Sequence, residues 1–201
     1  MVKESYPYLV FAGLGAFVAF MWGAEWTAAV FLLVMAFTGF FFRNPDRIIP
    51  LGEGQIVSPA DGRIVDVREV ESGTRLSIFL SIFDVHINRA PISGSIVAQT
   101  YHPGKFHLAF DDRASIENER MDWVLEGEIV LRFSLIAGLI ARRIVAWKKP
   151  GEKVARGDRI GLIKFGSRVD ITLPKNSRLV VKSGERVRGG ETAIARLGGP
   201  A

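Results

Sequence analysis

The sequence contains no cysteine, and histidine occurs only three times among its 201 residues. These scarcities exclude disulfide scaffolds, cysteine nucleophiles and the zinc sites that combine cysteine with histidine. The three histidines show no metal-ligand spacing, so we expect no metal cofactor. The lack of cysteine also fits a reducing cytoplasm.

The N-terminal segment has almost no charge. Between residues 6 and 42 the only Asp, Glu, Lys or Arg is Glu25. This stretch is too long for one membrane span of about 20 residues and short for two complete spans. Two tryptophans, a glycine and Glu25 interrupt it between residues 22 and 27. The pattern predicts two short helices, about residues 6–22 and 27–42, that form a hairpin in a membrane.

Positive charge flanks this apolar segment on both sides. Lys3 precedes it, and Arg43 and Arg47 follow it. Because cytoplasmic loops carry an excess of lysine and arginine, we expect both ends, and the domain that follows, on the cytoplasmic side of the cell membrane. A single tilted span remains an alternative. A signal peptide fits less well, since no small-residue cleavage site follows so long an apolar stretch.

After an anchor of residues 1–49, residues 50–201 have the pattern of one globular domain. Strand-like runs separated by glycine and proline predict a mainly β (α+β) protein with a β-rich sandwich or barrel. The predicted strands are 55–57, 63–67, 75–80, 94–99, 128–136, 143–147, 159–164 and 169–173.

Two segments of this domain repeat each other. Residues 151–158 and 184–191 share the pattern Gly-Glu-basic-Val-x-x-Gly-acid at an offset of 33 residues. The repeat resembles the hammerhead motif of biotinyl and lipoyl carrier domains, in which two such halves pair with pseudo-symmetry. Neither copy has the acceptor lysine of a carrier, so the repeat predicts a hammerhead-like β architecture without a carrier role.

Basic residues outnumber acidic ones by five, and many of them lie between residues 142 and 168. Beside a membrane anchor, this charge predicts attraction to anionic lipid. Nucleic acid is not an expected partner, because the basic positions accompany glycine turns and not a platform of aromatic side chains.

The pair Gly166-Ser167 stands between two strand-like runs. Because glycine tolerates strained backbone angles, a serine that follows it can attack the carbonyl just upstream. The resulting ester can eliminate across the serine Cα–Cβ bond, which cuts the chain and leaves a pyruvoyl group. A Gly-Ser turn or β-bulge is the ordinary alternative.

Three further motifs carry candidate functional side chains. Asp61 lies in the turn Ser-Pro-Ala-Asp-Gly at 58–62, and Asn118 lies in a polar run. His86 follows Asp84 by two residues, so in a strand the carboxylate would share a face with the imidazole and orient it. Each motif alone also fits a structural role, as a turn, a solvated loop or a core histidine.

Taken in order, these motifs resemble phosphatidylserine decarboxylase, a pyruvoyl enzyme of phospholipid synthesis, in its short archaeal-type branch. The resemblance extends from about residue 42 to residue 197. Six pieces in register carry it: Ser-Pro-Ala-Asp-Gly at 58–62, Phe-Asp-Val-His at 83–86, Pro-Gly-Lys-Phe at 103–106, Asn-Glu-Arg at 118–120, Ala-Arg-Arg-Ile at 141–144 and Phe-Gly-Ser at 165–167.

The resemblance implies autocatalytic cleavage between Gly166 and Ser167. A β chain of residues 1–166 and an α chain of residues 167–201 would stay together as a heterodimer. The sequence does not decide whether these heterodimers assemble into higher oligomers. Ser167 would become a covalent pyruvoyl cofactor, so neither a metal nor pyridoxal phosphate is implied. The pyruvoyl ketone would form a Schiff base with the amine of phosphatidylserine or archaetidylserine. This Schiff base would accept the bonding electrons left behind when carbon dioxide departs, and the product would be the ethanolamine lipid.

The resemblance also implies roles for individual side chains. Asp61 and His86 occupy the family's aspartate and histidine positions, and His86 would return a proton to the α-carbon. Asp84 and Asn118 are candidates for substrate contacts. Longer bacterial members carry a second histidine where this chain has Arg89, which cannot act as a base. The processing base stays open between His86 and Asp61, and Arg89 is expected to bind a carboxylate or phosphate.

Two other classes of function remain as alternatives. A non-catalytic membrane-anchored β-domain adaptor explains the anchor and the repeat, but not the ordered Asp61, His86 and Gly166-Ser167. A serine peptidase fits less well, because the chain has no Gly-x-Ser-x-Gly elbow.

Overall fold

The chain divides into two compact units, Met1–Asp46 and Arg47–Ala201. The computed structural model describes residues 1–104, 118–138, 143–164 and 166–198 of them.

The first unit contains two apolar helices. A 3-10 turn at Lys3–Ser5 leads into α1 (Tyr6–Met21), and α2 (Glu25–Phe41) follows. Gly23 adopts a φ of +70° between them, a left-handed conformation that ends α1 at little steric cost. The two predicted helices are therefore present, with α2 beginning two residues earlier than expected.

The two helices contact each other through a glycine on α1. A Cβ at Gly15 would come within 2.6 Å of the Phe31 ring, so only glycine admits this ring. At the far end, the Val2 amide donates to the Phe42 carbonyl at 3.3 Å. Lys3–Met21 is the one described helix that is long and apolar enough to cross a membrane, and α2 is shorter. Insertion of the pair as a membrane hairpin stays a prediction.

The second unit consists of short and long β-strands. They are β1 (Gln55–Val57), β2 (Gly62–Val70), β3 (Gly73–Leu80), β4 (Ile87–Arg89), β5 (Gly94–His102), β6 (Arg120–Glu126), β7 (Val130–Ala137), β8 (Ile144–Ala146), β9 (Lys153–Val154), β10 (Arg159–Ile163), β11 (Ser167–Pro174), β12 (Ser177–Leu179), β13 (Arg186–Val187) and β14 (Ala193–Leu197).

These strands form three antiparallel sheets. The large sheet has eight strands in the order β13-β2-β3-β11-β7-β6-β5-β9, and the small sheets have the orders β1-β14-β12 and β4-β10-β8. The prediction of a mainly β domain is confirmed. The large sheet ends in β13 and β9, which are not paired with each other across the described ranges, so it is an open sheet and not a closed barrel.

The core lies against one face of the large sheet. Alternate side chains of the central strand β11 are fully buried, namely Val169, Ile171 and Leu173. On β6 the Trp123 ring stacks on Phe133 of β7, with ring centroids 5.9 Å apart. Strand β6 was missing from the predicted strands, although its alternation of apolar and polar residues is typical of a half-buried strand.

The two sequence repeats make matching main-chain hydrogen bonds. The Gly151 amide donates to the Ile96 carbonyl at 2.7 Å, and the Gly184 amide donates to the Ile64 carbonyl at 2.8 Å. Each acceptor strand is irregular just beyond that contact, β2 after Ile64 and β5 after Ile96. The likeness to the hammerhead motif itself stays a prediction.

The sheet orders show that the whole domain is built from two similar halves. The order β13-β2-β3-β11 corresponds to β9-β5-β6-β7, and β1-β14-β12 corresponds to β4-β10-β8. We call β1–β3 with β11–β14 the first half, and β4–β10 the second half. The second half is thus inserted into the first, between the end of β3 and the start of β11.

Candidate active site

Ser167 is the first residue of β11 and has a strand on each side. It pairs with Leu80 of β3 and with Ala137 of β7. Its side chain is fully buried, and Oγ has no hydrogen-bond partner within the described ranges. Because a buried hydroxyl without a partner costs about 1–3 kcal/mol, this serine is not explained by a stabilising role in a turn.

Gly166 turns the chain into this strand. Its φ of +56° lies in the left-handed region, and a Cβ built there would meet nothing within 4 Å. The backbone conformation, and not crowding, therefore favours glycine. Phe165, the first residue of the Phe-Gly-Ser motif, lies outside the described residues.

His86 is fully buried just before β4. Its carbonyl accepts the amide of Ile163 at 3.2 Å, which continues the pairing of β4 with β10 toward Ser167. Ring atom Nδ1 lies 3.0 Å from the Asp84 carbonyl. Because a carbonyl can only accept, this contact places a proton on Nδ1 and leaves Nε2 as the nitrogen that can exchange protons.

The Asp84 carboxylate does not orient His86, so that prediction is wrong. Residues 81–84 form a turn instead of a strand, and the carbonyl of Asp84 contacts the ring in place of its side chain. The carboxylate accepts the amide and the hydroxyl of Ser81 at 2.8 and 2.7 Å, and it pairs with Arg186. Asp84 thus acts on the imidazole by fixing the turn.

Asp61 belongs to an ion-pair cluster at the start of the second unit. Arg47 binds both carboxylate oxygens of Asp61, at 2.8 and 2.9 Å, and the Gly189 amide donates to Oδ1 at 2.8 Å. Arg47 also reaches Glu191 at 3.4 Å. These contacts occupy both oxygens of Asp61, and none of them involves the buried serine or histidine.

Arg89 approaches the same cluster from β4. Burial lowers the pKa of Arg89, and the nearby guanidiniums of Arg47 and Arg159 lower it further. The carboxylates of Asp61 and Glu191 act in the opposite direction. Arg188 also pairs with Glu191 at 3.7 Å, so four guanidiniums accompany two carboxylates, and this excess of positive charge suits the binding of an anion.

Asn118 lies at the same end of the large sheet as Ser167. Its Nδ2 donates to the carbonyl of Ala137 at 2.7 Å, and the Ala137 amide donates to the Glu119 carbonyl at 2.9 Å. Since Ala137 pairs with Ser167, Asn118 is one strand away from the serine. It secures the end of β7, and its contact with a substrate stays a prediction.

Two buried polar features near the site were missed by the sequence analysis. Asn88 on β4 is fully buried, and neither polar atom of its carboxamide has a partner in the part of the chain that the structure describes. Arg168 is 1% exposed and binds Asp170 and Ser77, each at 2.7 Å. The Arg-x-Asp spacing in a strand could have indicated the ion pair. No sequence signal marks the asparagine.

Other parts of the predicted motifs fall partly outside the described residues, at 105–106 and 141–142. Among the residues that are described, no three His, Asp or Glu side chains are grouped to hold a metal ion. The expected absence of a metal stays a prediction.

Loss of Arg47 should destabilise the second unit. In Arg47→Met the Asp61 carboxylate, whose side chain is 13% exposed, loses its cation, which should cost roughly 3 kcal/mol of unfolding free energy. Adding Asp61→Asn should recover most of this loss, because no buried charge then stays unpaired. Urea unfolding of the four proteins of this cycle in detergent measures the coupling.

The matched control is Arg68→Met, since the Arg68 side chain is 51% exposed and its pair with Asp66 is long, at 3.5 Å. Its effect should stay below about 0.5 kcal/mol. Strictly additive effects of Arg47→Met and Asp61→Asn would contradict the assignment of a buried pair.

Comparison with known proteins identifies the family. The sequence model described as phosphatidylserine decarboxylase matches residues 34–195. A phosphatidylserine decarboxylase proenzyme from Geotalea uraniireducens is 46% identical over 205 residues, which cover 98% of this chain and 96% of that protein. Proenzymes of the same name from Geobacter sulfurreducens and Symbiobacterium thermophilum are 45% and 44% identical, covering 96% and 98% of this chain and 95% of each relative. This chain therefore belongs to the phosphatidylserine decarboxylase family.

Proposed function

We propose that this decarboxylase processes itself and uses a pyruvoyl group made from Ser167 to decarboxylate phosphatidylserine or its close relative archaetidylserine. The observation that carries the proposal is the state of Ser167, which is buried, has no hydrogen-bond partner within the described ranges and follows a left-handed glycine. The relatives are named proenzymes, which implies cleavage of a precursor. Family membership also argues against the non-catalytic adaptor.

The proposed cleavage needs no outside oxidant or reductant. Oγ of Ser167 attacks the carbonyl carbon of Gly166, and the peptide nitrogen leaves as a free amine, which gives an ester. Loss of the Ser167 Hα then breaks the Cβ–Oγ bond and releases Gly166 as a carboxylate. The dehydroalanine left at residue 167 tautomerises to an imine and takes up water, and ammonia leaves.

The residues around Ser167 fit a group of this kind. Leu80 and Ala137 are fully buried strand partners, so they hold residue 167 in place on both sides and exclude water. A pyruvoyl group supplies a ketone that can combine with an amine and accept electrons. The chain needs only to position the substrate and to move protons.

His86 is the proposed group for proton transfer. Its Nδ1 contact with the Asp84 carbonyl fixes the ring and leaves Nε2 to take the hydroxyl proton of Ser167 and later to protonate the substrate α-carbon. Asp61 supports the site as the ionic partner of Arg47, while Arg89 binds an anionic group of the lipid. Asp61 is thus a positioning residue in this proposal and not the processing base.

We also propose that the first unit anchors the enzyme in the membrane, with the second unit on the cytoplasmic side. The apolar character of α1 and α2, and the positive charges of Lys3, Arg43 and Arg47, support this arrangement. The cleaved β and α chains stay together as a heterodimer on this membrane surface.

Ser167→Ala should remain a single full-length chain, because alanine has no nucleophilic oxygen. The wild-type protein should give pieces of 166 and 35 residues on a denaturing gel. The 35-residue piece should have a blocked N-terminus that reacts with carbonyl reagents, seen as a shift in intact mass. Cleavage of Ser167→Ala, or a free serine amine on the wild-type fragment, would refute self-processing.

His86→Ala should lose turnover by at least about 100-fold, the usual worth of a positioned acid–base group. Chain cleavage should fall as well, because Nε2 of His86 is the proposed processing base, so carbon dioxide release is measured beside the cleaved fraction on a gel. The matched control is His102→Ala, because His102 is partly exposed and paired with Asp122 at 2.9 Å. Near-normal turnover of His86→Ala would remove His86 from the mechanism.

Arg89→Lys should raise KM more than it lowers kcat, because lysine keeps the charge but loses the bidentate geometry. Chain cleavage, followed by gel, should stay near the wild-type level. Loss of cleavage with an unchanged KM would show that Arg89 serves processing and not substrate binding.

Residue 25 should be out of reach from the cytoplasmic side. Because the chain has no cysteine, Glu25→Cys and the exposed-turn control Ser72→Cys each provide a unique label site. An impermeant maleimide applied to inside-out vesicles should label position 72 and not position 25. Labelling of position 25 from this side would contradict the hairpin.

Deletion of residues 1–42 should raise solubility and preserve cleavage, because all residues of the proposed chemistry lie beyond this segment.

A further inference from the structure

We propose that Asn88 positions the amino-acid head group of the substrate, with its carboxamide donating to the carboxylate and accepting from the ammonium. This inference rests on the proposed function of the Ser167 site. Its starting point is the pair of unpartnered polar atoms, Nδ2 and Oδ1, on a fully buried side chain.

A buried carboxamide with no partner is costly. Each donor or acceptor left unsatisfied lowers stability by about 1–3 kcal/mol, and most buried polar groups in proteins are therefore hydrogen-bonded. Asn88 leaves both of its groups unsatisfied within the described ranges, although its relative exposure is 0%. Packing alone does not account for a polar residue at this position.

The other half of the domain shows what the fold itself needs here. The Arg89 amide donates to the Pro59 carbonyl at 2.8 Å, and the Val57 amide donates to the Pro91 carbonyl at 3.0 Å, so Arg89 and Val57 are equivalent in the two halves. Asn88 precedes Arg89 as Ile56 precedes Val57, and Ile56 is also fully buried. An apolar side chain therefore satisfies the fold at this position.

Asn88 lies on the same side of its strand as His86. The bond from the Ile163 amide to the His86 carbonyl extends the β4–β10 ladder by one residue, so residues 86 and 88 share a face. Three residues separate the end of β10 from Ser167 in the sequence. Asn88 thus belongs to the strand pair that brings His86 toward the serine.

The chemistry of the head group matches this side chain. A serine head group carries an ammonium donor and a carboxylate acceptor on one carbon, and a carboxamide offers one acceptor and two donors side by side. A neutral donor is suited to a carboxylate that must leave, because a cation would stabilise this group in the ground state and oppose its loss. Arg89, the next residue along β4, alternates to the opposite face, where it donates to the Gly157 carbonyl at 2.8 Å and lies near Asp61 and Glu191.

The test is Asn88→Val, which replaces the carboxamide with an apolar side chain, as the equivalent position has in Ile56. The full-length cleaved protein in detergent is assayed with a serine phospholipid, and activity is expressed per carbonyl-titrated chain. The KM should rise by roughly 10- to 100-fold, as expected for loss of a hydrogen bond to a charged group, while kcat changes less. The melting temperature should stay equal or rise, because two unsatisfied polar atoms are removed.

An ethanolamine phospholipid used as inhibitor separates binding from structure, since it lacks the carboxylate. Its inhibition constant should change at least threefold less than the KM of the serine lipid. Asn88→Asp, which is nearly isosteric but repels the carboxylate, should raise that KM further than Asn88→Val. A residue that only supports the fold is not expected to give a higher KM for the aspartate variant than for the valine variant.

Three results would overturn the role of Asn88: a kcat/KM within twofold of wild type, a lower melting temperature with equal weakening of both lipids, or an uncleaved but stable Asn88→Val chain. The last result would place Asn88 at the scissile bond. A wild-type protein that is not cut at Gly166–Ser167 would refute the proposed function itself. If the wild-type protein is cleaved and active and Asn88→Val is fully active as well, only the role of Asn88 is refuted.

Discussion

The pairing of β11 with both β3 and β7 is the interaction on which the proposed processed enzyme depends. The cut would fall just before Ser167, the first residue of the central strand, and every residue from Ser167 to Pro174 has a register partner on β3. Strands β13 and β14 of the short chain also pair with β2 and β1 of the long chain. The short chain would therefore keep its place through main-chain bonds and its buried Val169, Ile171 and Leu173.

A second constraint is the concentration of charge around Arg47. The amide of Ile48 donates to Glu191 and, with Arg47, lowers the pKa of this carboxyl group. A lowered carboxyl pKa stabilises the fold at pH values above about 4, and the contribution fades as acid protonates the group. Near neutral pH the Glu191 carboxylate therefore keeps its contacts with Arg47 and the Ile48 amide, which fasten the start of the domain.

Local sequence pattern was sufficient for much of this architecture, and the failures have physical causes. Alternating β-branched residues and glycine turns located most of the long strands, because these signals act within a few residues. The orientation of His86 was predicted wrongly, since the turn at Ser81 captures the Asp84 carboxylate and leaves only its carbonyl for the ring. Asn88 was missed because burial without a partner is a property of the assembled sheets, and no spacing in the sequence reveals it.

The two-half architecture explains why the reactive pair stands where it does. In the second half β6 turns directly into β7 through residues 127–129, whereas the corresponding strands β3 and β11 are separated by residues 81–166. The insertion thus has two junctions, one before β4, which carries His86, and one after β10, which carries Gly166 and Ser167. Neither junction has to close a tight β-turn. The backbone can therefore take the left-handed conformation at Gly166 and bury the imidazole of His86. A break at the second junction, as proposed, would remove a connection that the paired strands do not need, because β11 would stay bonded to β3 and β7.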